Sequence, residues 1–249
     1  MAFKALTWNI LAQAYTLPNR YPLSPPEALQ PGPRRQLLLT RLAAIDADAI
    51  CLQEVEGDSY AAICHLLGPG FHGAFAQKHN KPDGSALFLR KTLFPTARFE
   101  TLHYVASDAG YDHLALIAQT EHDGKGLHIA STHLRWQRRD TPLDRHQGRA
   151  QMLELLENLP GPRLVCGDLN ALSEGVVIQA AMDRGLRLSC RTQRPWDTVN
   201  IDGKCRKLDY LLCSAEFTPQ PGTLPRLRRD TPMPSLSEPS DHLPVTVVF

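Results

Sequence analysis

The chain has 249 residues, with 27 Lys and Arg against 26 Asp and Glu, and is 43% hydrophobic and 21% charged. This composition excludes a disordered chain, and the balanced charge excludes a wholly basic nucleic-acid coat or an acidic tail protein. The length suffices to bury a full core, as one large domain or two small ones.

Residues 3–9 read as a first strand, followed by a Pro-rich loop to Pro33 and an amphipathic helix over 34–46 carrying Leu37, Leu38, Leu42 and Ile45. The apolar run 49–53, bounded by Asp48 and Glu54, suits a strand buried on both faces, and a second helix over 57–67 stops at Gly68. Strands are then expected at 71–76, 85–90, 96–104, 113–120 and 127–133, with turn signals at Pro82-Asp83-Gly84 and Asp123-Gly124. Pro142 opens a helix to about 159, residues 163–167 form another buried strand, and late strands fit 208–213 and 244–249. Many of the 20 prolines fall in 18–33 and 219–244, which read as loops. Helices thus interleave with two sets of strands without an internal repeat or a linker, so the expectation is a single α/β domain, 1–249, of two packed sheets flanked by helices.

The six cysteines, Cys51, Cys64, Cys166, Cys190, Cys205 and Cys213, are widely spaced without a C-x-x-C pair and are expected to be reduced, intracellular and mostly buried. The first 14 residues have the outline of a secretory leader, but Thr7 and Asn9 interrupt its apolar stretch, and a cytoplasmic location is expected. No run approaches the roughly 18 apolar residues of a membrane span.

Gly68-Pro69-Gly70-Phe71-His72-Gly73 matches G-x-G-x-x-G literally. It follows a helix and leads into a strand, the reverse of the order that dinucleotide binding needs, so it reads as a helix-end turn. No Walker A loop, H-E-x-x-H or G-x-S-x-G occurs. What remains is a set of polar residues at the ends of apolar strands: Asn9, Glu54, His133, Asp168 with Asn170, Asp209, and Asp241 with His242. Singly, each has an ordinary explanation as a solvated strand end, a turn or a core histidine. Together, four carboxylates and two imidazoles that each terminate an apolar run would be costly to gather without a cation or a phosphate to satisfy them.

Thr7-Trp8-Asn9-Ile10-Leu11, Leu52-Gln53-Glu54, Ser131-Thr132-His133-Leu134, Gly167-Asp168-Leu169-Asn170, Leu208-Asp209-Tyr210 and Ser240-Asp241-His242 resemble, in order, the motifs of the endonuclease/exonuclease/phosphatase superfamily. Asn9-Ile10-Leu11-Ala12-Gln13, Tyr21-Pro22, Ala28-Leu29 and Arg34-Arg35 resemble the opening of its deadenylase, nocturnin and Angel branch. Asp83-Gly84-Ser85-Ala86 resembles that branch's D-G-C-A segment, with Ser85 in place of Cys. Leu11 stands where abasic-site endonucleases carry an acidic residue, which argues against DNA repair.

The resemblance implies a four-layer α/β sandwich and metal-dependent phosphoester cleavage. Mg²⁺, with Mn²⁺ as a substitute, is a hard ion that takes oxygen ligands, so Glu54, Asn9 and Asp241 are the expected metal residues. Asp168 is expected to orient and deprotonate water, Asn170 and His242 to donate to the phosphate, Asp209 to hold the His242 ring, and His133 to add transition-state stabilisation.

On the substrate side, Arg135, Arg138, Arg139, Arg145 and Arg149 surround Trp136, either as a phosphate-tracking and base-stacking rim or as a solvated helix face over a packed Trp. A second basic stretch runs from Arg184 to Lys207 and includes Trp196. Asp83-Gly84 reads as hairpin chemistry. The expected activity is that of an exoribonuclease on single-stranded RNA, acting as a monomer away from membranes. The alternatives are a phosphatase of a small phosphorylated metabolite or nucleotide, and a non-catalytic scaffold keeping the fold. Setting aside the four site carboxylates leaves 27 basic against 22 acidic residues, so near-neutrality conceals an acidic pocket within a basic remainder.

Overall fold

The structure is a computed structural model that describes residues 1–106, 112–189 and 196–249. Its first half runs through β1 (Lys4–Asn9), α1 (Pro31–Ile45), β2 (Ala49–Glu56), α2 (Gly57–Leu67), β3 (Phe71–Gln77) and β4 (Asp83–Arg90). Then come β5 (Ala97–His103), β6 (Leu114–His122), β7 (Lys125–His133), α3 (Gln147–Glu157), β8 (Arg163–Asp168) and α4 (Val176–Asp183). The chain ends with β9 (Arg187–Leu188), β10 (Val199–Ile201), β11 (Lys204–Arg206), β12 (Asp209–Cys213), β13 (Gln220–Pro221) and β14 (Val245–Val248).

Two six-stranded sheets form, in the orders β13-β14-β1-β2-β4-β3 and β5-β6-β7-β8-β12-β9, while β10 and β11 make a separate ribbon. The double burial expected of the short apolar runs follows from their alternation. Ala49 and Cys51 point into the core between the sheets, whereas Ile50 and Leu52 pack with Leu38, Leu42 and Ile63 of α1 and α2. In the second sheet Leu164 and Cys166 face inward, and Val165 meets Met152 and Leu155 of α3 and Val177 and Ile178 of α4. Helices therefore cover both outer faces, giving the expected four layers. Among the described residues, no helix is long and apolar enough to cross a membrane.

Three expectations about boundaries need correction. α1 begins at Pro31 rather than at 34, because Pro31 and Pro33 sit in the first turn, where a missing N–H leaves no bond unmade. Pro142 precedes only a 3-10 turn, Leu143–Arg145; the helix starts at Gln147, where the His146 side chain caps it by accepting from the Arg149 N–H. The short apolar helix α4 and the three-residue strands of the β10–β11 ribbon carry too little pattern to be read in advance. The Gly68–Gly70 segment is a helix-end 3-10 turn, as expected.

Strand direction gathers the polar strand ends. β1 and β2 pair in parallel with Asn9 opposite Gln53, β7 and β8 pair in parallel with His133 opposite Asp168, and antiparallel β12 begins with Asp209 opposite Asp168. All of these residues therefore reach one edge of the sandwich, where ligand-facing residues collect in α/β sheets. Close strand contact there depends on Gly167, whose added Cβ would lie 1.9 Å from the Thr132 carbonyl oxygen. Gly167→Ala is expected to cost about 1–3 kcal/mol, lowering Tm by about 3–10 °C for a chain of this size, as read by thermal denaturation.

Candidate active site

Backbone conformation aims the site residues. Glu54 has φ +55° at a bulge in the β2–β4 pairing between Gln53 and Val55, which turns its carboxylate out of the strand's alternation. Asn170 (φ +49°) and Leu11 (φ +55°) follow Asp168 and Asn9 in the same left-handed region. Non-glycine residues hold such conformations only where their surroundings enforce them, and three of them flank one cleft here. Beneath it, the uncharged residues of the motifs tie the sheets together: Thr7 Oγ1 donates to Gln53 Oε1 (3.4 Å), and Gln53 Nε2 donates to Ser131 Oγ (3.1 Å).

The carboxylates and imidazoles converge. Asn9 Nδ2 donates to Glu54 Oε1 (3.0 Å) and to Asp168 Oδ2 (3.2 Å), while its Oδ1 accepts from the Leu11 N–H (3.0 Å). His242 Nδ1 donates to Asp209 Oδ2 (2.8 Å), which also accepts from Thr198 Oγ1 (2.5 Å), and His242 Nε2 faces Asp168 Oδ2 at 3.7 Å. Burial works against charge on His242, but the Asp209 and Asp168 carboxylates outweigh it and hold the ring well above its ordinary pKa. It is therefore a buried cation at neutral pH.

His133 lies in the opposite state. Burial, with Lys78, His113 and His242 nearby, drives its pKa well below the ordinary value, so the ring is neutral. Its Nε2 accepts from Asn170 Nδ2 (3.0 Å), which places the proton on Nδ1, 3.9 Å from Glu54 Oε1. Asn170 Nδ2 also donates to the Leu134 carbonyl (2.9 Å), so both of its amide hydrogens are engaged. Burial pushes the Asp168 carboxyl up to about 7, with His242 opposing the rise and Asp209 adding to it. Burial and then the Asp241 carboxylate raise Glu54 as well.

The loop carrying Asp241 and His242 is fastened to the end of β1. Trp8 Nε1 donates to the His242 carbonyl (2.9 Å) and Ser240 Oγ donates to the Asn9 carbonyl (2.7 Å). Arg34, only 6% exposed, donates through one nitrogen to the carbonyls of Ile10 and Pro239 (both 3.0 Å) and through Nε to Gln13 Oε1. Tyr21 OH donates to Asp241 Oδ2 (3.2 Å), and burial with that carboxylate keeps the phenol protonated. Arg34→Met leaves two buried carbonyls without donors; the expected outcome is a loss of about 2 kcal/mol or more in stability together with reduced turnover, with Arg34→Lys intermediate in both thermal melts and kinetics.

Several of these residues were not singled out for chemistry from the sequence: Arg34, Tyr15, Tyr21, Lys78, Thr198 and Ser240. Asp83 closes the β3–β4 hairpin as expected, but its carboxylate is fully buried and receives Tyr15 OH (2.7 Å) and Lys78 Nζ (2.6 Å). The available signal was polarity inside an apolar setting, as at Lys78 and Asp83 on either side of a tight turn. Ser85, where the branch carries Cys, is buried and its hydroxyl finds no partner among the described residues.

The site opens into a cleft of about 670 Å³ that includes Tyr15, Tyr21, Glu54, His133, Asp168 and His242. A neighbouring groove of similar volume shares Asn170 and Leu208 with it and is lined by Trp136, Arg139, His146 and Arg206. Trp136 stands in a loop, 53% exposed, so the alternative of a packed Trp on a helix face does not hold. Arg139 lines the groove, Arg138 pairs with Asp140, and the Arg135 backbone N–H donates to Gln151 Oε1 (2.9 Å). Trp196 packs partly against the inter-sheet core. Residues 190–195 of the second basic stretch, Cys190 among them, lie outside the described residues. The other five cysteines are unpaired, three of them buried.

The donor chemistry suits a hard divalent cation. Glu54, Asp168, Asp209 and Asp241 are gathered around His242 and, farther off, Lys78, and Asp209 Oδ1 is buried without a hydrogen-bond partner among the described residues. Asp168, Asp209 and His242 offer ligand atoms within 4.8 Å of one another. Asp209 Oδ2 and His242 Nδ1, however, already bond to each other, and Asp209 Oδ2 also accepts from Thr198. Asn9 presents its NH₂, not its oxygen, to the carboxylates, standing in for positive charge between them.

The model of the endonuclease/exonuclease/phosphatase family matches residues 6–242, from β1 to the His242 that closes the site. The chain belongs to that family. Rat nocturnin is 30% identical over 285 residues, covering 99% of this chain, which spans 65% of the length of that relative. The CCR4-Not complex 3′-5′-exoribonuclease subunit Ccr4 of Candida albicans is 26% identical over 224 residues, covering 71% of this chain and 28% of that protein. The crystal structure of ANGEL2, a 2′,3′-cyclic phosphatase, superposes with a TM-score of 0.81 at 20% identity, covering 100% of this chain and 95% of that one. Within the endonuclease/exonuclease/phosphatase family the chain thus falls with nocturnin, and the two sheets flanked by helices, shared with ANGEL2, are that family's fold. Family members hydrolyse phosphoesters and generally depend on a divalent metal.

Proposed function

We propose that residues 1–249 act as one catalytic domain, a Mg²⁺-dependent phosphodiesterase that removes nucleotides from single-stranded RNA. The observation that carries this reading is the cationic His242, held by Asp209 against an Asp168 carboxyl pushed up to about 7, in a cleft that adjoins an exposed Trp136. Glu54 and Asp241 would hold Mg²⁺, with Mn²⁺ as a substitute, and Asn9 would join them through its amide oxygen on turning that oxygen away from the Leu11 N–H. The ion supplies Lewis-acid polarisation of the phosphoryl group and charge stabilisation of the leaving oxygen.

The chain's own residues do the rest. Asp168, ionised, accepts the proton of the attacking water. His242 donates from Nε2 to a phosphoryl oxygen, and Asp209 keeps its other nitrogen protonated and its ring fixed. Asn170 exchanges its bond to His133 for one to the phosphate, and the neutral His133 donates from Nδ1. Trp136 offers a face for the base next to the scissile bond, with Arg135 and Arg139 beside its backbone.

The similarity to the 3′-5′-exoribonuclease subunit Ccr4 supports an exonuclease reading. A cleft of about 670 Å³ is also the size of a single nucleotide's site, and this favours, as second reading, a phosphatase of a small phosphorylated molecule. End-labelled oligo(A) with Mg²⁺, run beside a phosphate-release panel of nucleotides and sugar phosphates, separates them. A ladder of shortened oligomers supports the first; phosphate release with no oligomer shortened supports the second; silence in both returns the chain to a non-catalytic scaffold.

A further inference from the structure

A second groove, of about 810 Å³, lies beside the catalytic cleft, between the β10–β11 ribbon and the loop at residues 226–230. It carries Lys204, Arg206, Arg226, Arg228 and Arg229, all exposed, and none of them makes an ion pair with a described residue. Against them the groove holds only the Asp197 and Asp202 carboxylates, with Asp230 next to it in sequence, so a clear positive excess remains.

The loop is built to hold its arginines in place. Leu227 is buried in a small apolar cluster with Met233 and Leu243, the latter directly after His242. Asn200 of β10 donates from its amide to the carbonyls of Arg228 (3.1 Å) and Thr231 (2.6 Å), and the Arg228 N–H donates to Thr231 Oγ1 (3.0 Å). The ribbon presses against the loop at Gly203, where φ is +71° and an added Cβ would lie 3.2 Å from the Arg229 carbonyl. The groove is also continuous with the site: Asp202 lines both it and the catalytic cleft, and Arg206 lines both it and the Trp136 groove.

We propose that the ribbon and the 226–230 loop form a phosphate-tracking platform for single-stranded RNA, gripping the polynucleotide several phosphates away from the scissile bond. This rests on the polynucleotide reading of the site. Exposed cations without protein partners, fixed on a braced loop and adjoining a phosphoester cleft, match a flexible polyanion whose counterions are released on binding. The platform adds length-dependent affinity and takes no part in bond cleavage.

The test is the triple variant Arg226→Glu/Arg228→Glu/Arg229→Glu, which leaves Leu227, Asn200 and Thr231 in place; its Tm reports that the fold is kept. Fluorescence anisotropy of a labelled 20-mer oligo(A), measured against salt, is expected to show affinity weakened at least about tenfold and a salt slope shallower by about 2, near 0.7 per cation removed from a single strand. KM for the 20-mer is expected to rise in step with no change in kcat, while turnover of a dinucleotide too short to reach the loop changes by less than about twofold. Unchanged 20-mer affinity in the folded variant overturns the platform, as does an equal loss on the dinucleotide. If the wild type shortens no oligonucleotide, the polynucleotide reading of the site fails, and the binding comparison still decides the platform by itself.

Discussion

Asp168→Asn is expected to lower kcat by about 10²–10⁴-fold while leaving the protein folded, with Tm unchanged or higher. The asparagine oxygen can still accept from the Asn170 N–H, as Asp168 Oδ1 does at 3.0 Å, so the turn after β8 survives. What disappears is a base and a buried carboxyl that is already reluctant to ionise: burial pushes it up to about 7 against an ordinary value of 3.8. Protons therefore favour the folded form through this group, a stabilisation present in full below pH 3.8 and lost as pH rises to about 7, and the neutral amide is free of that loss. In the wild type the base must be ionised, so activity climbs with pH along an acid limb lying at or below about 7, since a bound cation only favours ionisation. Stopped assays across pH 5–9 with circular-dichroism melts read both effects. Turnover of the folded variant within tenfold of wild type would remove Asp168 from the water-activating role.

Glu54→Gln is expected to abolish the thermal response to Mg²⁺ along with activity. A cation present at about 100 times its Kd stabilises the folded wild type by about 2.7 kcal/mol, which moves Tm by about 5–10 °C in a chain of this size. Because burial and Asp241 raise the Glu54 carboxyl, protons compete with the cation, and the wild-type shift is expected to be larger at pH 8 than at pH 6. The variant keeps an acceptor for the Ala12 N–H, which now bonds Glu54 Oε2 at 3.2 Å, so the bulged backbone remains. A full Mg²⁺ shift in the variant would move the metal away from Glu54.

The fold and the site were legible to different depths. Long strands such as β2 and β8 announced themselves because apolar residues on both faces leave a continuous run, and the polar residue that ends each run marks the edge of the sheet. Asn9, Glu54, His133, Asp168, Asp209, Asp241 and His242 could be gathered for that reason alone. The helix start at Gln147, the helix α4 and the β10–β11 ribbon could not, being decided by capping and packing across the chain rather than by period. Arg34 stood out in the sequence only as part of the Arg34-Arg35 pair that resembles the branch's opening, without a role, and only the fold shows it buried between Ile10 and Pro239, residues 229 positions apart in sequence. Arg226, Arg228 and Arg229 lay in a Pro-containing loop with no pattern, and acquired meaning from the ribbon that faces them.

By itself the sequence determined which residues end the strands, and with them the family, because hydrophobic alternation and motif order are written along the chain. Protonation states were decided by the tertiary structure. His133 and His242 are the same residue type at similar strand-end or loop positions, yet one is neutral and the other charged. Both rings lie beside Asp168, at 3.5 Å for His133 and 3.7 Å for His242; only His242 is hydrogen-bonded to a carboxylate, that of Asp209 at 2.8 Å, whereas at His133 burial dominates, with Lys78, His113 and His242 adding to it. In a low-dielectric cleft the balance between burial and a hydrogen-bonded counter-charge outweighs residue identity, and those neighbours come from strands far apart in the chain.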